Sequence, residues 1–401
     1  MLTIVISIRL ILAHLAYMSN RTYVFQPYRW HIDYIPWTKG ELQRVHGRKH
    51  PVTPANAMMS GPAVGGSWPA GDPAPRSISE DWFDIVCPKS KRKIIISESI
   101  KGPIREENAY VHFRAWEKVL KEAPENCIEV VPSPRTVDPY PQVIELFVWG
   151  SNRILSMWEE FRDSPVSQLQ RPSPVAQAAV IKNERVFLPS GPTIPGLSID
   201  PFDRTLAIHI RRGDYKSACV RFGIWNSSFY GWNQLPDMPD RFVNPPGWTW
   251  GKNTPENMEL YMKRCWPSEE AIVTKIMESK RDYESAAKPG EKRLVDVVFL
   301  MTNADTEWQA KMKWMLKTEG LNTVVTTKDI ILDAEEKEIG LVVDMELARK
   351  AAVFVGNGVS TIMLIASCLL FADTPQWSSL TSNIIHRRRV DGREYYANRF
   401  F

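Results

Sequence analysis

The sequence has little of three features that would indicate a metal site, a nucleic-acid surface or a charged membrane surface. Its five cysteines are far apart and include no Cys-x-x-Cys pair, so a zinc site is not expected, although one or two disulfides are compatible with them. Its 50 basic and 46 acidic residues leave a net charge of only +4, which does not favour nucleic acid or an anionic membrane as a partner. An anionic ligand would therefore need a local site.

The sequence also lacks an uninterrupted apolar run of the kind that a signal peptide or membrane anchor needs. Residues 1–18 are apolar except for Ser7, Arg9 and His14, and Arg9 lies in the middle of the run. A signal peptide carries its charge ahead of the run and ends at small residues, and a central arginine destabilises a membrane span. We therefore expect a buried helix, followed by a turn at Asn20 and a strand at residues 22–25.

The chain does have the length and composition of a globular protein with ordered loops. Its 401 residues are 44% hydrophobic, which suits two domains of ordinary size. The 30 prolines and 15 tryptophans favour long loops with aromatic anchors over a helical bundle. Asn20-Arg-Thr and Asn226-Ser-Ser are formal glycosylation sequons, which count only if the chain enters the secretory pathway.

The first half has few periodic segments. The expected elements are a Pro/Gly/Trp-rich loop over residues 26–88, strands at residues 93–97 and 127–131, and helices at residues 111–121 and 143–161. Proline is frequent over residues 164–201, so we place the domain boundary within residues 191–199.

The second half alternates between strand and helix patterns. The expected elements are strands at residues 205–210, 295–301, 323–327 and 352–355, helices at residues 271–277, 308–316 and 341–351, and a Trp-rich insertion at residues 222–255. This alternation predicts a parallel sheet with helices on its faces, and the fold class is therefore α/β.

The strand over residues 205–210 ends in a concentration of functional side chains. Its apolar residues run directly into Arg211, Arg212, Gly213 and Asp214. In open α/β sheets ligands bind outside the carboxyl ends of the strands, and a guanidinium there can contact two phosphate oxygens at once. Gly213 allows a tight turn, and Asp214 can hold one guanidinium while the other faces a ligand. The alternative is an ordinary solvated basic turn.

These residues carry a resemblance to a known family. The segment His209-Ile-Arg-Arg-Gly-Asp is similar to the His-x-Arg-Arg-Gly-Asp type motif of the O-fucosyltransferase-like glycosyltransferases, a superfamily that includes the α1,6- and α1,2-fucosyltransferases. Further similar segments are Val298-Phe-Leu-Met-Thr-Asn, Thr326-Thr-Lys-Asp, Val343-Asp-Met-Glu-Leu-Ala, Phe354-Val-Gly-Asn-Gly and Ser378-Ser-Leu-Thr-Ser-Asn-Ile. With its Trp-rich insertion, the chain most resembles the branch found in filamentous fungi.

The resemblance implies a GT-B type α/β fold, in which two Rossmann-like domains face a cleft. Residues 1–190 would form the acceptor-side domain with long Pro/Trp-rich loops, and residues 200–401 the GDP-fucose-binding domain. The implied activity is transfer of fucose from GDP-fucose to a protein or glycan hydroxyl. It would be inverting, independent of metal and without a cofactor besides the donor substrate. The implied location is the ER or Golgi.

The resemblance also implies roles for residues at the strand end. In the family the motif arginine contacts the phosphates of the sugar nucleotide, and this role falls to Arg211 or Arg212, most of all to Arg211. A fixed guanidinium there stabilises the charge that grows on the departing diphosphate. His209 would form a hydrogen bond near the nucleotide or sugar, or would pack in the core as an ordinary strand histidine.

Two segments further along match the family's nucleotide contacts. Asp344 matches an acidic residue near the guanine or ribose, and the alternative is an aspartate that stabilises a helix N-terminus. Three residues match the segment that contacts phosphate and base, with turn serines and a helix cap as the alternative: Ser378, Ser379 and Leu380.

The chain departs from the family pattern at two places. Family members begin with a strand and a loop that ends in Arg-Met, whereas this chain starts at what would be that methionine, so we expect a first domain truncated at its amino end. Residues 359–376 form an insertion compatible with a retained intron, unless Gly356-Asn-Gly-Val-Ser-Thr is itself the signature. We expect the insertion to pack poorly.

Two other functions remain open at this point. A chain of this kind could bind a GDP-sugar without catalysing transfer, because its first loop is missing. Arg212-Gly-Asp could instead be an adhesion tripeptide, but a position at a strand end inside a cleft would hide it from partners.

Overall fold

The structure, a computed structural model, consists of two compact units. It describes residues 2–30, 52–66, 77–134, 136, 137, 148, 151–190, 194–229, 231–235, 241–356, 377–379, 388–390 and 393–395. The first unit comprises Met1–Pro174 with Tyr230–Trp232, and the second comprises Val175–Phe229 with Asn233–Phe401.

The described strands of the first unit form four two-stranded sheets. Its helices and strands, in chain order, are α1 (Leu2–Met18), β1 (Tyr23–Phe25), β2 (Tyr28–Arg29), β3 (Val52–Thr53), α2 (Ala55–Met58), β4 (Met59–Ser60), β5 (Ser77–Ser79), α3 (Glu80–Val86), β6 (Lys93–Ile96), α4 (Glu98–Lys101), α5 (Ala109–Glu122), β7 (Ile128–Val131), α6 (Trp158–Arg162), α7 (Pro165–Gln168) and β8 (Arg171–Pro172). β1 pairs with β5 and β6 with β7 in parallel, whereas β2 pairs with β3 and β4 with β8 in antiparallel fashion.

The helix predicted for residues 1–18 is confirmed as α1. Leu10, Ile11 and Leu15 are buried within the unit. Arg9 donates from Nη1 to the Gln26 carbonyl at 2.7 Å and from Nη2 to the Pro27 carbonyl at 2.9 Å, so the charge in mid-helix is held by the backbone that follows. Among the described residues, no helix combines the length and the apolarity that crossing a bilayer requires.

The rest of the first unit differs from the prediction where elements are short. The supposed loop over residues 26–88 contains β2 to β5 with α2 and α3, which are too short to show a period in sequence. Of the helix predicted over residues 143–161, the structure gives a 3₁₀ turn at Asn152–Met157 and then α6. Residues 143–147, 149 and 150 lie outside the described residues.

Four of the five cysteines form two disulfides, and each unit contains one of them. Cys87 bonds to Cys127, and Cys219 bonds to Cys265. The prediction of one or two disulfides is therefore confirmed. The fifth cysteine, Cys368, lies outside the described residues.

The second unit is built around one parallel sheet. Its elements, in chain order, are α8 (Pro174–Asn183), β9 (Thr205–Ile210), α9 (Lys216–Ile224), α10 (Pro255–Cys265), α11 (Glu269–Ser285), β10 (Val297–Thr302), α12 (Thr306–Thr318), β11 (Thr323–Thr326), α13 (Gly340–Lys350), β12 (Val353–Gly356), β13 (Trp377–Ser379), β14 (Arg388–Val390) and β15 (Arg393–Tyr395). The strand order is β11-β10-β9-β12-β13, and all four pairings are parallel. The predicted parallel α/β sheet is confirmed.

This sheet is apolar because it is covered on both faces. Leu206, Ile208 and Ile210 of β9 alternate onto one face and join a core with Ile276 of α11 and Leu316 of α12. On the opposite face, the ring of Phe187 packs 5.1 Å from Phe202 and 5.3 Å from Phe299 of β10. A strand that is buried on both faces has a continuous run of apolar residues, and this pattern predicts β9 and β10 from sequence.

Residues 175–190 belong to the second unit, whereas we had placed them in the first domain. The packing of Phe187 is one reason. Asn183 of α8 also donates from Nδ2 to the Ile331 carbonyl at 3.0 Å, and Lys182 pairs with Glu336 at 2.7 Å. The prolines over residues 164–201 mark turns, and the unit boundary lies at the first residue of α8, between Pro174 and Val175. The arrangement of two Rossmann-like domains around a cleft stays a prediction.

The disulfide of the second unit gives a test of this fold. Replacing both Cys219 and Cys265 by Ala should lower the free energy of unfolding by about 2–4 kcal/mol, because the cross-link restricts the unfolded chain. Urea unfolding of wild type and double variant would measure the change. A non-reducing peptide map of the wild type serves as the control, and free thiols at Cys219 or Cys265 would contradict the pairing.

Candidate functional site

The candidate site lies at the carboxyl edge of the sheet in the second unit. Numbered by their order along the chain, the strands lie in the order 3-2-1-4-5, with β9 first and β12 fourth. From β9 the chain adds β10 and β11 on one side and then returns to add β12 on the other. In open α/β sheets the carboxyl ends of the two strands at such a switch point flank the place where ligands bind. The Arg-Arg-Gly-Asp turn follows β9 directly, so it stands at the point where open α/β sheets bind ligands.

The turn after β9 is fixed by Asn303, which follows the neighbouring strand β10. Its Oδ1 accepts from the Arg212 backbone N–H at 2.7 Å, and its Nδ2 donates to the Arg212 carbonyl at 3.0 Å. Gly213 has a φ of +63°, in the left-handed region where glycine is favoured. A Cβ at Gly213 would also lie 3.3 Å from Asn303 Nδ2. The chain therefore needs glycine there, as expected.

Arg212 is buried and anchors the turn. Its guanidinium lies 4.6 Å from the ring centre of Trp266 and 5.0 Å from that of Trp308, and its Nη2 donates to the Pro267 carbonyl. Trp266 follows Cys265 of the disulfide, and Trp308 lies in α12. The Arg212 side chain is therefore occupied by protein contacts, and Arg211 is the more exposed of the two arginines.

The Arg211 side chain is one third exposed. Its Nη2 donates to Asp214 Oδ1 at 3.2 Å, and Asp214 also accepts from Asn303 Nδ2 at 3.3 Å. The Arg211 guanidinium lies 5.7 Å from the ring centre of Tyr215. Asp214 therefore holds one guanidinium, as predicted, and that guanidinium belongs to Arg211. The prediction that the other arginine faces a ligand is wrong, because Arg212 is buried against protein and Arg211 is the partly exposed one.

His209 lies one residue before the end of β9 and is half-buried. Burial, and then the positive charge of Arg211, lower its pKa to about 3, so the imidazole is neutral at neutral pH. Its position pairs with Met301 of β10 on one side and Gly356 of β12 on the other. His209 is therefore a neutral side chain near the carboxyl ends of β9 and β12.

Asp344 lies one turn into α13 rather than at its first residue. It is buried, and its Oδ2 accepts from the hydroxyl of Thr327 at 3.0 Å, just beyond the carboxyl end of β11. Burial raises the pKa of Asp344 to about 7, and the hydrogen bond from Thr327 opposes this rise. A buried carboxyl of this kind is unlike the exposed anion that stabilises a helix N-terminus.

The remaining predicted residues lie in or beyond the edge strand β13. Ser378 and Ser379 belong to β13, where Ser378 pairs with Val355 and Ser379 with Gly356 of β12. Leu380 and the insertion at residues 359–376 lie outside the described residues. Within the described part of the chain, no three His, Cys, Asp or Glu side chains cluster in a way that could hold a metal ion.

Four further residues shape the site without having been predicted as part of it: Asn303, Trp266, Trp308 and Thr327. Asn303 and Thr327 follow strands β10 and β11, and their position at strand ends was a usable signal. No sequence signal marks Trp266 or Trp308 as part of the site, because only the folded structure brings them next to Arg212.

No protein-family model and no curated protein sequence matches the chain. Similar solved structures include crystal structures of POFUT1: in complex with GDP, at 13% identity and a TM-score of 0.48 over 93% of each chain; in complex with GDP-fucose, at 12% identity and 0.44 over 92% of this chain and 93% of that one; and in the apo form, at 13% identity and 0.45 over 89% and 88%. TM-scores below 0.5 do not establish a shared fold.

Removal of the Asn303 side chain tests how the turn is held. Asn303→Ala leaves the Arg212 backbone N–H without its acceptor and should lower the free energy of unfolding by about 1–3 kcal/mol. Urea unfolding would measure this, with Lys317→Ala, an exposed position in α12, as the control variant. Equal stability of the two variants would show that Asn303 does not fix the turn.

Asp344 makes stability depend on pH. An aspartate in the unfolded chain has a pKa of about 4. Between that pH and the folded pKa of about 7, Asp344 is therefore protonated in the folded chain but ionised in the unfolded chain. The wild type should therefore lose stability as pH rises through this window, and Asp344→Asn, which cannot ionise, should not. Melting temperatures of both proteins from pH 4 to pH 8 would test this. A difference between them that does not grow with pH would contradict it.

Proposed function

We propose that the chain is a glycosyltransferase that moves fucose from GDP-fucose to a hydroxyl of a protein or glycan. The observation that carries the proposal is the position of Arg211 in the His-x-Arg-Arg-Gly-Asp type motif, at the carboxyl end of β9 beside the reversal point of the sheet. In sheets of this order, diphosphates bind at the first turn between strand and helix. Here that turn contains Arg211, Gly213 and Asp214.

The chemistry assigned to Arg211 is electrostatic. The acceptor oxygen forms a bond to the anomeric carbon of fucose as the bond from that carbon to the diphosphate breaks, which inverts the anomeric configuration. The acceptor hydroxyl releases its proton to solvent, and GDP leaves with the electron pair of the broken bond. Negative charge then grows on the leaving GDP. A guanidinium that Asp214 already holds in place stabilises this charge with little reorganisation, and it supplies the cationic role without a metal.

The other predicted residues take supporting roles in this proposal. Asp344, whose pKa is about 7, would accept or donate a hydrogen bond to the ribose or guanine, and neutral His209 would contact the nucleotide or sugar. Ser378, Ser379 and Leu380 would contact phosphate and base. Arg212 would act as a positioning residue, because its guanidinium is occupied by Trp266 and Trp308.

Location in the ER or Golgi is part of the same proposal. Disulfides persist in oxidising compartments, and the structure contains the pairs Cys87–Cys127 and Cys219–Cys265. The second unit would bind the donor, and the first unit would contribute to the acceptor side.

Titration calorimetry with GDP tests the donor site. Arg211→Ala should weaken GDP binding roughly 10- to 100-fold, because hydrogen bonds to charged groups contribute about 1.5–3 kcal/mol. Arg211→Lys should recover only part of the affinity, since an ammonium lacks the planar fork. Arg221→Ala, an exposed arginine of α9 that carries the same charge change, should bind GDP like the wild type.

Two outcomes would separate the alternatives. Equal GDP affinity of Arg211→Ala and Arg221→Ala would contradict the proposed site. The second outcome is that the chain binds GDP but transfers fucose from GDP-fucose neither to an acceptor hydroxyl nor to water. This would indicate a GDP-sugar-binding protein without catalysis.

A further inference from the structure

The structure separates two asparagines that the sequence presents as equivalent. Asn20 in Asn20-Arg-Thr and Asn226 in Asn226-Ser-Ser both satisfy the acceptor pattern for N-linked glycans. Both also have left-handed backbone conformations, with φ of +53° and +46°. Their surroundings differ: Asn20 is exposed, whereas Asn226 is half-buried in a hydrogen-bonded cluster.

Asn20 lies on an exposed turn at the end of α1. The Arg21 backbone N–H donates to the Ala16 carbonyl at 2.8 Å, and the Asn20 N–H donates to the Tyr17 carbonyl at 3.0 Å, which is the hydrogen-bond pattern that ends a helix with a left-handed residue. Thr22, the third residue of the pattern, is also exposed. The turn therefore presents both recognition residues to solvent on a fixed backbone.

Arg21, between them, fixes this turn to the body of the first unit. Its guanidinium donates to three carbonyls just at and beyond the end of α5, those of Leu120, Ala123 and Glu125. The side chain of Arg21 thus lies along the protein, where it satisfies carbonyls that the helix end leaves open. A glycan on Asn20 would displace none of these contacts.

Asn226 lies in a hydrogen-bonded cluster instead. It is half-buried, its Nδ2 donates to the Pro245 carbonyl at 3.2 Å, and its Oδ1 accepts from Asn253 Nδ2 at 3.2 Å and from the hydroxyl of Tyr261 at 3.3 Å. Tyr261 is fully buried, and its one hydroxyl proton is shared between Asn226 Oδ1 and the Ser227 carbonyl, which lies nearer at 2.9 Å. A sugar on Asn226 Nδ2 would disrupt this cluster.

We propose that Asn20 is an N-glycosylation site and that Asn226 is not. The reaction joins Asn20 Nδ2 to the anomeric carbon of an oligosaccharide carried by a lipid-linked diphosphate. The bond from that carbon to the diphosphate breaks, the lipid diphosphate leaves, and the amide nitrogen loses one proton. The two disulfides agree with the compartment in which such donors act.

The experiment is expression of the full chain behind a heterologous secretion signal in yeast or insect cells. Secreted and cell-retained protein are both collected, treated with a peptide-N-glycosidase in heavy-oxygen water, and mapped by mass spectrometry. We expect conversion to isotopically labelled aspartate at Asn20 and none at Asn226. A single shift in gel mobility should disappear with the glycosidase.

Matched variants exclude a folding artefact. Thr22→Ala should abolish the shift, and Thr22→Ser should retain it, because serine keeps the hydroxyl that recognition requires. Ser228→Ala should leave the shift unchanged. Unmodified Asn20 in chain that carries its disulfides, or labelled aspartate at position 226, would overturn the proposal.

Discussion

The second unit depends on how a buried cation, Arg212, is held between two tryptophans. Trp266 comes from the segment after α10 and Trp308 from α12, so a single guanidinium joins elements that lie far apart in sequence. Asn303 binds both backbone polar groups of the same residue. These contacts fix the turn in backbone and side chain, and the adjacent Arg211 is left to face outward with Asp214 beside it. One arginine of the pair thus provides rigidity so that the other can provide charge.

Under the proposed function, this division of roles would explain why a basic pair stands at the end of a buried strand. Preorganised charge stabilises a growing anion best when it does not need to move during reaction, and surface arginines on flexible turns lack that property. This arrangement places a guanidinium in the protein interior. Burial lowers the pKa of Arg212, and the negative charge of Glu269 partly opposes that effect. Cation–π contacts and the Pro267 carbonyl compensate for the lost hydration.

Much of the secondary structure of this unit can be predicted from sequence. The features that cannot be predicted depend on contacts between residues far apart in sequence. The strands β9 and β10 were predicted to within two residues because both of their faces are apolar. The unequal roles of Arg211 and Arg212 were only partly visible, since Trp266 and Trp308 are distant in sequence. Proline content reports turns and predicts a boundary after α8, whereas the packing of Asn183 and Phe187 groups this segment with the second unit.

The most direct test of the account is a thermodynamic cycle of two ligands and two proteins. Affinities of GDP and guanosine would be measured for the wild type and for Arg211→Ala. If Arg211 binds the diphosphate, the affinity gap between GDP and guanosine should shrink in the variant while guanosine binding stays the same. A gap of unchanged size would show that the diphosphate is bound elsewhere and would contradict the assignment of this turn as the donor site.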